Sequence, residues 1–191
     1  MDEKLLQFFH SLDRSLFIDN RYKTLAKLDR PLPIGHGQTI SQPSLVVYMT
    51  AHLRLDKTTR VLEVGTGSGY QTAFLAEFAK DVFTVELRGE LGVKARQRLD
   101  ALGYRNIQYT LGDGSLGWAE HAPYERILVT AAPKRMPEDL IDQLAPEGIM
   151  ILPLGPPGYQ QLIMITTDVD GGVTQTKLLD VAFVPLVGKY S

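Results

Sequence analysis

The sequence contains no cysteine. This absence excludes disulfide bonds, thiolate metal sites and a cysteine nucleophile, including the one that cytosine C5-methylation requires. The chain also lacks a run of about 18 apolar residues, so no membrane-spanning helix is predicted. Residues 1–10 carry acidic residues among scattered apolar ones, without the basic-then-apolar order of a signal peptide. We therefore expect a cytoplasmic protein with no membrane partner.

Neither sign of charge is in clear excess. The 20 basic and 22 acidic side chains give a formal net charge of -2 and a pI of about 6.1, so no nucleic-acid partner is expected. The four histidines, His10, His36, His52 and His121, are dispersed along the chain. No Ser/His/Asp triad or cluster of metal ligands is evident. We therefore expect no metal, and the residue inventory does not favour a hydrolase.

The length of 191 residues suits one domain with a substantial core. From residue 44 onward, segments with strand-like and helix-like periodicity alternate. The predicted strands are Arg60–Val64, Asp81–Glu86, Ile107–Leu111, Glu125–Thr130 and Gly148–Leu154. The predicted helices are Ser44–Leu53, Gln71–Phe78, Glu90–Leu102 and Pro137–Leu144. This order predicts an α/β, Rossmann-like, doubly wound and mostly parallel sheet with helices on both faces.

The pattern changes after Gly158. Three further strand-like segments follow, Gln161–Thr166, Val173–Leu179 and Val181–Val187, and a hairpin-type turn separates the first two. We expect these segments to form antiparallel strands at the carboxyl terminus. With no linker or internal repeat in between, residues 1–191 are expected to form a single domain.

The sharpest motif follows the first predicted strand and contains Glu63, Gly65, Thr66, Gly67, Ser68 and Gly69. Glycines permit positive φ and remove the Cβ atoms that would keep a ligand away from the backbone. Such a turn at the end of a parallel strand is typical of nucleotide sites. Tyr70 stands where a dinucleotide fingerprint needs its third glycine, and the lysine of a phosphate-binding loop is missing. The spacing resembles the first motif of class I S-adenosylmethionine-dependent methyltransferases, although a plain strand-to-helix connection is the alternative.

Polar residues end the other predicted parallel strands. Glu86 closes the second strand, beside Leu87, where a carboxylate can accept hydrogen bonds from ribose hydroxyls. Gly112-Asp113-Gly114 follows the third strand and places Asp113 to meet an adenine amino group. Thr130 ends the fourth strand. Because the carboxyl ends of parallel strands share one edge, these residues together predict an S-adenosylmethionine site.

The segment from Pro33 to Ser41 reads Pro-Ile-Gly-His-Gly-Gln-Thr-Ile-Ser and precedes the first helix of the alternating pattern. From composition alone it is an ordered, aperiodic loop. It resembles the loop that marks protein-L-isoaspartate (D-aspartate) O-methyltransferases. Together with the glycine turn, residues 112–114, residues 127–133 and Phe183-Val184-Pro185-Leu186, the resemblance covers roughly residues 14–190.

The resemblance implies a repair enzyme that methylates the α-carboxylate of L-isoaspartyl residues in damaged proteins and peptides. It implies Ser41 as the active-site serine and Gln38, Thr39, Ile40 and Ser41 as residues that close over the cofactor. Ile40, Ser41, Val184 and Pro185 would lie beside the substrate. Residues 1–43 would form the covering segment, although the part before Leu16 is shorter than is usual for the family. A monomer is expected.

Two other functions fit the predicted cofactor site. One is a methyltransferase of this fold that acts on a small acid or another nucleophile. The other is a non-catalytic module that binds S-adenosylmethionine or its product. Neither function needs the loop that ends at Ser41, so that loop favours the repair enzyme.

Overall fold

The computed structural model describes residues 3–191, and its centre is a seven-stranded sheet with strand order β5-β4-β3-β6-β7-β8-β9. The strands are β3 Arg60–Val64, β4 Asp81–Glu86, β5 Ile107–Leu111, β6 Tyr124–Val129, β7 Leu144–Leu154, β8 Gln160–Thr167 and β9 Val173–Val181. The five strands from β5 to β7 are mutually parallel, whereas β8 and β9 run antiparallel to their neighbours. The predicted fold class is therefore confirmed.

Helices cover both faces of the sheet. The helices are α1 Glu3–Ser11, α2 Pro43–Leu53, α3 Tyr70–Phe78, α4 Gly89–Ala101 and α5 Glu138–Ile141. Short 3-10 turns lie at Arg14–Phe17, Arg21–Leu25, Gly114–Leu116 and Ala119–His121. Helices α1 to α4 bury their apolar side chains on one face, and α5 packs on the other face beside Tyr124 and Trp118.

Strand β3 lies in the middle of the parallel region. Its apolar side chains Val61, Leu62 and Val64 are at most 1% exposed, because helices cover both faces of the strand. The chain runs outward from β3 to β4 and β5, and then returns to the other side of β3 as β6. This reversal opens a crevice at the carboxyl ends of β3 and β6, where ligands bind in open α/β sheets.

Three sequence predictions about the elements are wrong. The predicted helix Pro137–Leu144 shortens to α5, because Leu144 already pairs with Tyr124 as the first residue of β7. The predicted strand Val181–Val187 does not form. After Val181 the side chain of Gln160 donates to the Phe183 carbonyl at 3.1 Å and accepts from the Phe183 amide at 2.5 Å, replacing a strand partner. Beyond Phe183 the chain pairs with Ala132 through an isolated bridge at Pro185 and forms no further strand.

The third difference concerns the predicted loop before α2. It contains an antiparallel hairpin, β1 Leu32–Gly35 with β2 Gln38–Ile40. The turn at its tip uses positive φ at Gly35, His36 and Gly37, and the His36 ring lies 3.1 Å from the Glu90 carboxylate on α4. The hairpin therefore reaches across the crevice to the far side.

One buried arginine anchors this covering segment. Arg14 is 5% exposed, and its guanidinium donates to backbone carbonyls only. The acceptors are the carbonyls of Ala26 (3.0 Å), Leu28 (3.1 Å), Arg30 (2.9 Å), Ile40 (3.4 Å) and Ser41 (3.0 Å). Burial lowers the pKa of Arg14, although arginine remains protonated near neutral pH. A single side chain therefore fixes residues 26–30 and residues 40–41 relative to one another.

The start of α2 is fixed from the opposite side by Asp29. Its carboxylate accepts from the Ser44 amide and the Ser44 hydroxyl, each at 2.8 Å, and from Gln42 Nε2 at 3.0 Å. The hydrogen bond from the Ser44 backbone amide holds the pKa of Asp29 below its usual range. A carboxylate at a helix amino terminus satisfies an unpaired amide and complements the helix dipole. Ser41 thus lies between two anchors, Arg14 and Asp29.

A buried carboxyl group lies beneath the glycine turn. Glu63 is fully buried on β3, and its Oε2 accepts from Thr72 and Thr84, each at 2.7 Å. The Thr84 proton is used in that bond, so Thr66 donates across the 2.6 Å contact between the two threonine hydroxyls. Glu63 Oε1 has no hydrogen-bond partner within residues 3–191. Burial raises the pKa of Glu63 to about 8.

We expect the Arg14→Met substitution to destabilise the fold, because it leaves five backbone carbonyls without their donor. The expected loss in the free energy of unfolding is about 3 kcal/mol, the scale for removing one partner of a buried charged network. Urea denaturation checks this, with the exposed Arg21→Met as the matched control that changes stability by less than about 0.5 kcal/mol. Equal effects of the two substitutions would contradict the anchoring role.

Glu63 gives the stability a distinct pH dependence. Its pKa is raised in the folded state, so between about 4.3 and 8 the folded protein retains a proton that the unfolded chain releases, and stability falls as pH rises. From pH 6 to pH 8.5 the parent should lose about 2 kcal/mol more than the Glu63→Gln variant. Urea denaturation at both pH values measures this difference. The exposed control Glu120→Gln should follow the parent, and a Glu63→Gln variant that does the same would refute the assignment.

Candidate functional site

The crevice at the switch between β3 and β6 forms a cleft lined by the hairpin, the glycine turn and the strand ends. The hairpin contributes Gln38, Thr39, Ile40 and Ser41, and the glycine turn contributes Gly65, Thr66, Gly67 and Ser68. The strand ends add Glu86, Leu87, Gly114 and Thr130, and Val184 and Pro185 close one wall. The structure thus brings most of the sequence-predicted site residues together in one cleft.

The floor of the cleft is formed where β3 and β6 end side by side. The Thr130 hydroxyl contacts the Gly65 carbonyl at 2.7 Å and the Val64 carbonyl at 3.0 Å. Gly65 has φ of 96°, and a Cβ there would collide with the Thr130 hydroxyl. Only glycine therefore allows the turn to pack against Thr130, and the backbone of the turn is left open to a ligand.

Glu86 is the ionisable side chain best placed for a ligand hydroxyl. It ends β4, is 6% exposed and lines the cleft. Its Oε2 accepts from the Gly67 amide at 2.7 Å, and its Oε1 accepts from the Arg88 amide at 2.8 Å. A carboxylate offers about four acceptor positions, so each oxygen retains capacity for a ligand hydroxyl. The hydrogen bonds from these two backbone amides fix the orientation of the Glu86 carboxylate and therefore the direction of its remaining acceptor positions.

Two further features fit a nucleoside ligand with a polar tail. Gln71 lines the cleft and donates to the Thr50 hydroxyl at 3.0 Å, whereas its buried Oε1 has no partner in the described part of the chain. A buried amide oxygen is costly without a donor, so this atom suits a ligand amine. Gly114 also lines the cleft, and a Cβ at this position would lie 2.6 Å from Val64 Cγ1. Only glycine therefore allows the backbone to lie so close to β3 here.

Four residues predicted to contact the cofactor do not line the cleft: Glu63, Gly69, Gly112 and Asp113. Glu63 lies under the turn in the threonine network. Gly69 faces α4, where a Cβ would lie 3.1 Å from Leu99 Cδ1. Glu63 and Gly69 therefore support the glycine turn from the side away from the cleft.

Asp113 is directed away from the cleft. Its Oδ1 accepts from the Ser115 amide at 2.9 Å and the Ser115 hydroxyl at 2.6 Å, while its Oδ2 accepts from the Lys189 amide at 3.0 Å. A Cβ at Gly188 would collide with this carboxylate. The Asp113 carboxylate therefore holds the chain terminus, and its contact with an adenine amino group stays a prediction.

The chain terminus forms a strap, defined here as residues 182–191, across the carboxyl edge of the sheet. The Ala132 amide donates to the Val184 carbonyl, and the Leu186 amide donates to the Ala132 carbonyl, each at 2.8 Å. Further along, the Lys134 amide donates to the Tyr190 carbonyl at 3.0 Å. These bonds turn the segment predicted as a strand into a wall of the cleft.

Ser41 lies at the mouth of the cleft, immediately before α2. Its carbonyl accepts from Arg14, and its half-buried hydroxyl has no hydrogen-bond partner among residues 3–191. The same residue also lines a second groove that runs away from the cleft. The Ser41 hydroxyl is therefore available to a group that enters from that side.

Sequence reasoning missed several lining residues: Val46, Val64, Tyr70, Gln71, Val85, Arg88, Ala131, Leu186 and Val187. A signal existed for Gln71, a polar residue in the first helical turn after the glycines, and for Arg88, next to Glu86 and Leu87. Burial raises the pKa of Tyr70 to about 12, so its hydroxyl is neutral near pH 7. The sequence around Arg14 contains no feature that predicts its hydrogen bond to the Ser41 carbonyl.

Two kinds of feature are absent from residues 3–191. No group of three or more His, Cys, Asp or Glu side chains is close enough to hold a metal ion. Within the same range, no helix combines the length and apolar character needed to cross a bilayer.

Comparison with known proteins gives a consistent result. The family model for protein-L-isoaspartate(D-aspartate) O-methyltransferase matches residues 1–191. A protein-L-isoaspartate O-methyltransferase 2 of Polaromonas sp. is 48% identical over 99% of this chain and 90% of its own length. The corresponding protein of Gloeobacter violaceus is 47% identical over 96% of this chain and 90% of its own length.

Solved structures agree with the sequence relatives. A protein-L-isoaspartate O-methyltransferase superposes with a TM-score of 0.88 at 27% identity, covering 99% of this chain, which spans 62% of that longer one. A Plasmodium falciparum structure named as a beta-aspartate methyltransferase, in complex with S-adenosyl-L-homocysteine, gives a TM-score of 0.83 at 26% identity over 97% of this chain and 91% of its own. This chain therefore belongs to the protein-L-isoaspartate(D-aspartate) O-methyltransferase family.

Proposed function

We propose that the protein transfers a methyl group from S-adenosylmethionine to the α-carboxylate of L-isoaspartyl residues in damaged proteins and peptides. The resulting ester cyclises to a succinimide, whose hydrolysis returns part of the material to normal aspartate. The observation that carries the proposal is the position of Ser41, whose unpaired hydroxyl lies where the cofactor cleft meets an open groove. Membership of the family supports the same reaction.

The cleft divides into parts with complementary chemistry for S-adenosylmethionine. Glu86 would accept hydrogen bonds from the ribose hydroxyls, and Leu87 and Gly114 would lie beside the adenine. The open backbone of Gly65–Gly67 and the unpaired Gln71 Oε1 suit the amino acid part of the cofactor. When bound, the cofactor supplies an electrophilic sulfonium methyl group.

The main task of the side chains would be to position the substrate carboxylate against the methyl group. A substrate carboxylate is ionised near neutral pH, so no general base is needed to make it a nucleophile. The Ser41 hydroxyl would donate to one carboxylate oxygen and direct the other toward the methyl group. The hairpin, with Thr39 and Ile40, and the strap, with Val184 and Pro185, would exclude water. Orientation and exclusion of water are established sources of rate in such transfers.

Two observations distinguish this proposal from the alternatives. A methyltransferase for a small acid needs no second groove, yet the groove beyond Ser41 has a volume of about 700 Å³. A non-catalytic binding module would have no use for a serine whose carbonyl is held by Arg14 and whose neighbours Gln42 and Ser44 are held by Asp29. We also propose that the protein acts as a monomer and has a cytoplasmic location.

The Ser41→Ala substitution should lower kcat for an isoaspartyl peptide by about tenfold or more, because one oriented hydrogen bond to a charged group is lost. Affinity for S-adenosyl-L-homocysteine should stay within a few-fold. Steady-state methylation and calorimetric titration measure the two quantities. Ser11→Ala, an exposed serine distant from the cleft, is the matched control. A large loss of cofactor affinity would place Ser41 in the cofactor site instead.

The Glu86→Gln variant provides the opposite contrast within the same experiment. Loss of the charged acceptor should weaken S-adenosyl-L-homocysteine binding by about tenfold or more, while kcat at saturating cofactor changes less. If Ser41→Ala and Glu86→Gln both change kcat, or both change the affinity for S-adenosyl-L-homocysteine, the assignment of Glu86 to the cofactor and Ser41 to the substrate is incorrect.

A further inference from the structure

The second groove extends from Ser41 along the outer side of the hairpin base. Its lining comes from Pro31, Thr39, Ser41, Gln42, Ser44, Leu45, Tyr48, Thr130, Leu179, Asp180, Val181, Ala182 and Phe183. One wall is α2 and the opposite wall is the end of β9 with the first residues of the strap. Because Thr39, Ser41 and Thr130 line both cavities, the groove opens directly onto the place where a methyl acceptor must lie.

The two walls present apolar side chains to each other. Leu45 and Tyr48 project from α2, and Leu179 and Phe183 lie opposite; all four are only partly buried. Asp180 is the one charged residue in the described lining, and its carboxylate is paired with Lys177 Nζ at 2.8 Å. Apart from Tyr48, the hydroxyl-bearing residues of the groove are Thr39, Ser41, Ser44 and Thr130, and three of these four also line the cofactor cleft. The groove is therefore polar where the carboxylate would lie and apolar further out.

The apolar walls are held in position. The Tyr48 ring packs on the His52 ring with centroids 4.2 Å apart, and His52 Nδ1 lies 2.8 Å from the Tyr48 carbonyl. Phe183 is fixed through its backbone by the paired hydrogen bonds to the Gln160 side chain. A preformed apolar groove binds an apolar group without the cost of ordering its walls.

We propose that this groove binds the side chain of a residue flanking the isoaspartyl residue, and that it selects a large aliphatic or aromatic side chain. The inference rests on the proposed function, since it extends the same substrate from Ser41 into the adjoining space. A peptide whose carboxylate reaches Ser41 must pass its neighbouring residues over this opening. Leu45, Tyr48, Leu179 and Phe183 are then the residues that determine specificity for the flanking position.

The test uses the full chain and a set of isoaspartyl peptides that differ only at the residues on either side of the isoaspartate. Glycine, serine, leucine or phenylalanine is placed at each side in turn, and kcat/KM is measured by methyl transfer. We expect leucine and phenylalanine to exceed glycine by about tenfold at one of the two sides, as burial of one apolar side chain implies. This comparison needs no variant, so it does not depend on a substitution being folded.

Variants on opposite walls then locate the selectivity. In Tyr48→Ser and in Leu179→Ser the ratio of the phenylalanine peptide to the glycine peptide should fall to about twofold. Tyr159→Ser, whose side chain is 83% exposed and outside the groove, should keep the parent ratio. Measuring the ratio within each variant removes any general loss of activity from the comparison.

The outcomes separate the two proposals. Methylation of every isoaspartyl peptide at the same rate would overturn the groove assignment and leave the proposed function intact. A preference that survives in both groove variants would also overturn it, because the selecting residues would then lie elsewhere. No methylation of any isoaspartyl peptide, with S-adenosyl-L-homocysteine still bound, would reject the function and the groove assignment together.

Discussion

The contact between the Arg14 guanidinium and five backbone carbonyls is the interaction on which the site depends. The central sheet forms its own hydrogen bonds, but between α1 and α2 the chain has only a short hairpin and two 3-10 turns. Its carbonyls at residues 26, 28, 30, 40 and 41 converge on one side chain instead. Because the fork of arginine is planar and rigid, it fixes these carbonyls relative to one another. The hydrogen bond from Arg14 to the Ser41 carbonyl therefore fixes the position of Ser41.

Two carboxyl groups near the glycine turn have opposite environments. Glu63 is enclosed by β3, α3 and β4, and burial together with the nearby charge of Glu86 raises its pKa to about 8. Glu86 instead accepts from two amides at the end of β4 and lines the cleft. The Glu86 carboxylate therefore lies where ribose hydroxyls would meet it. Glu63 supports the turn as a neutral group through Thr84 and Thr66.

Much of the fold could be predicted because the parallel strands are short, apolar and separated by segments with helical patterns. The glycine turn, Glu86 and Thr130 were predictable for the same reason: each follows a strand, and the carboxyl ends of parallel strands share one edge. The strap could not be predicted. Val181–Val187 has the composition of a strand, and only the competing hydrogen bonds of Gln160 and Ala132 remove it from the sheet. Arg14 was likewise hidden, because its five partners are backbone atoms distant in sequence.

The most direct measurement of the central claim is methyl transfer to an isoaspartyl peptide beside its normal aspartyl twin, under identical conditions with S-adenosylmethionine. The two peptides share every side chain and net charge and differ only in which carboxyl group carries the backbone. If Ser41 and the adjoining groove recognise a carboxylate next to the displaced backbone, only the isoaspartyl peptide is methylated. Equal transfer to both peptides, or transfer to neither while the cofactor binds, would contradict the account.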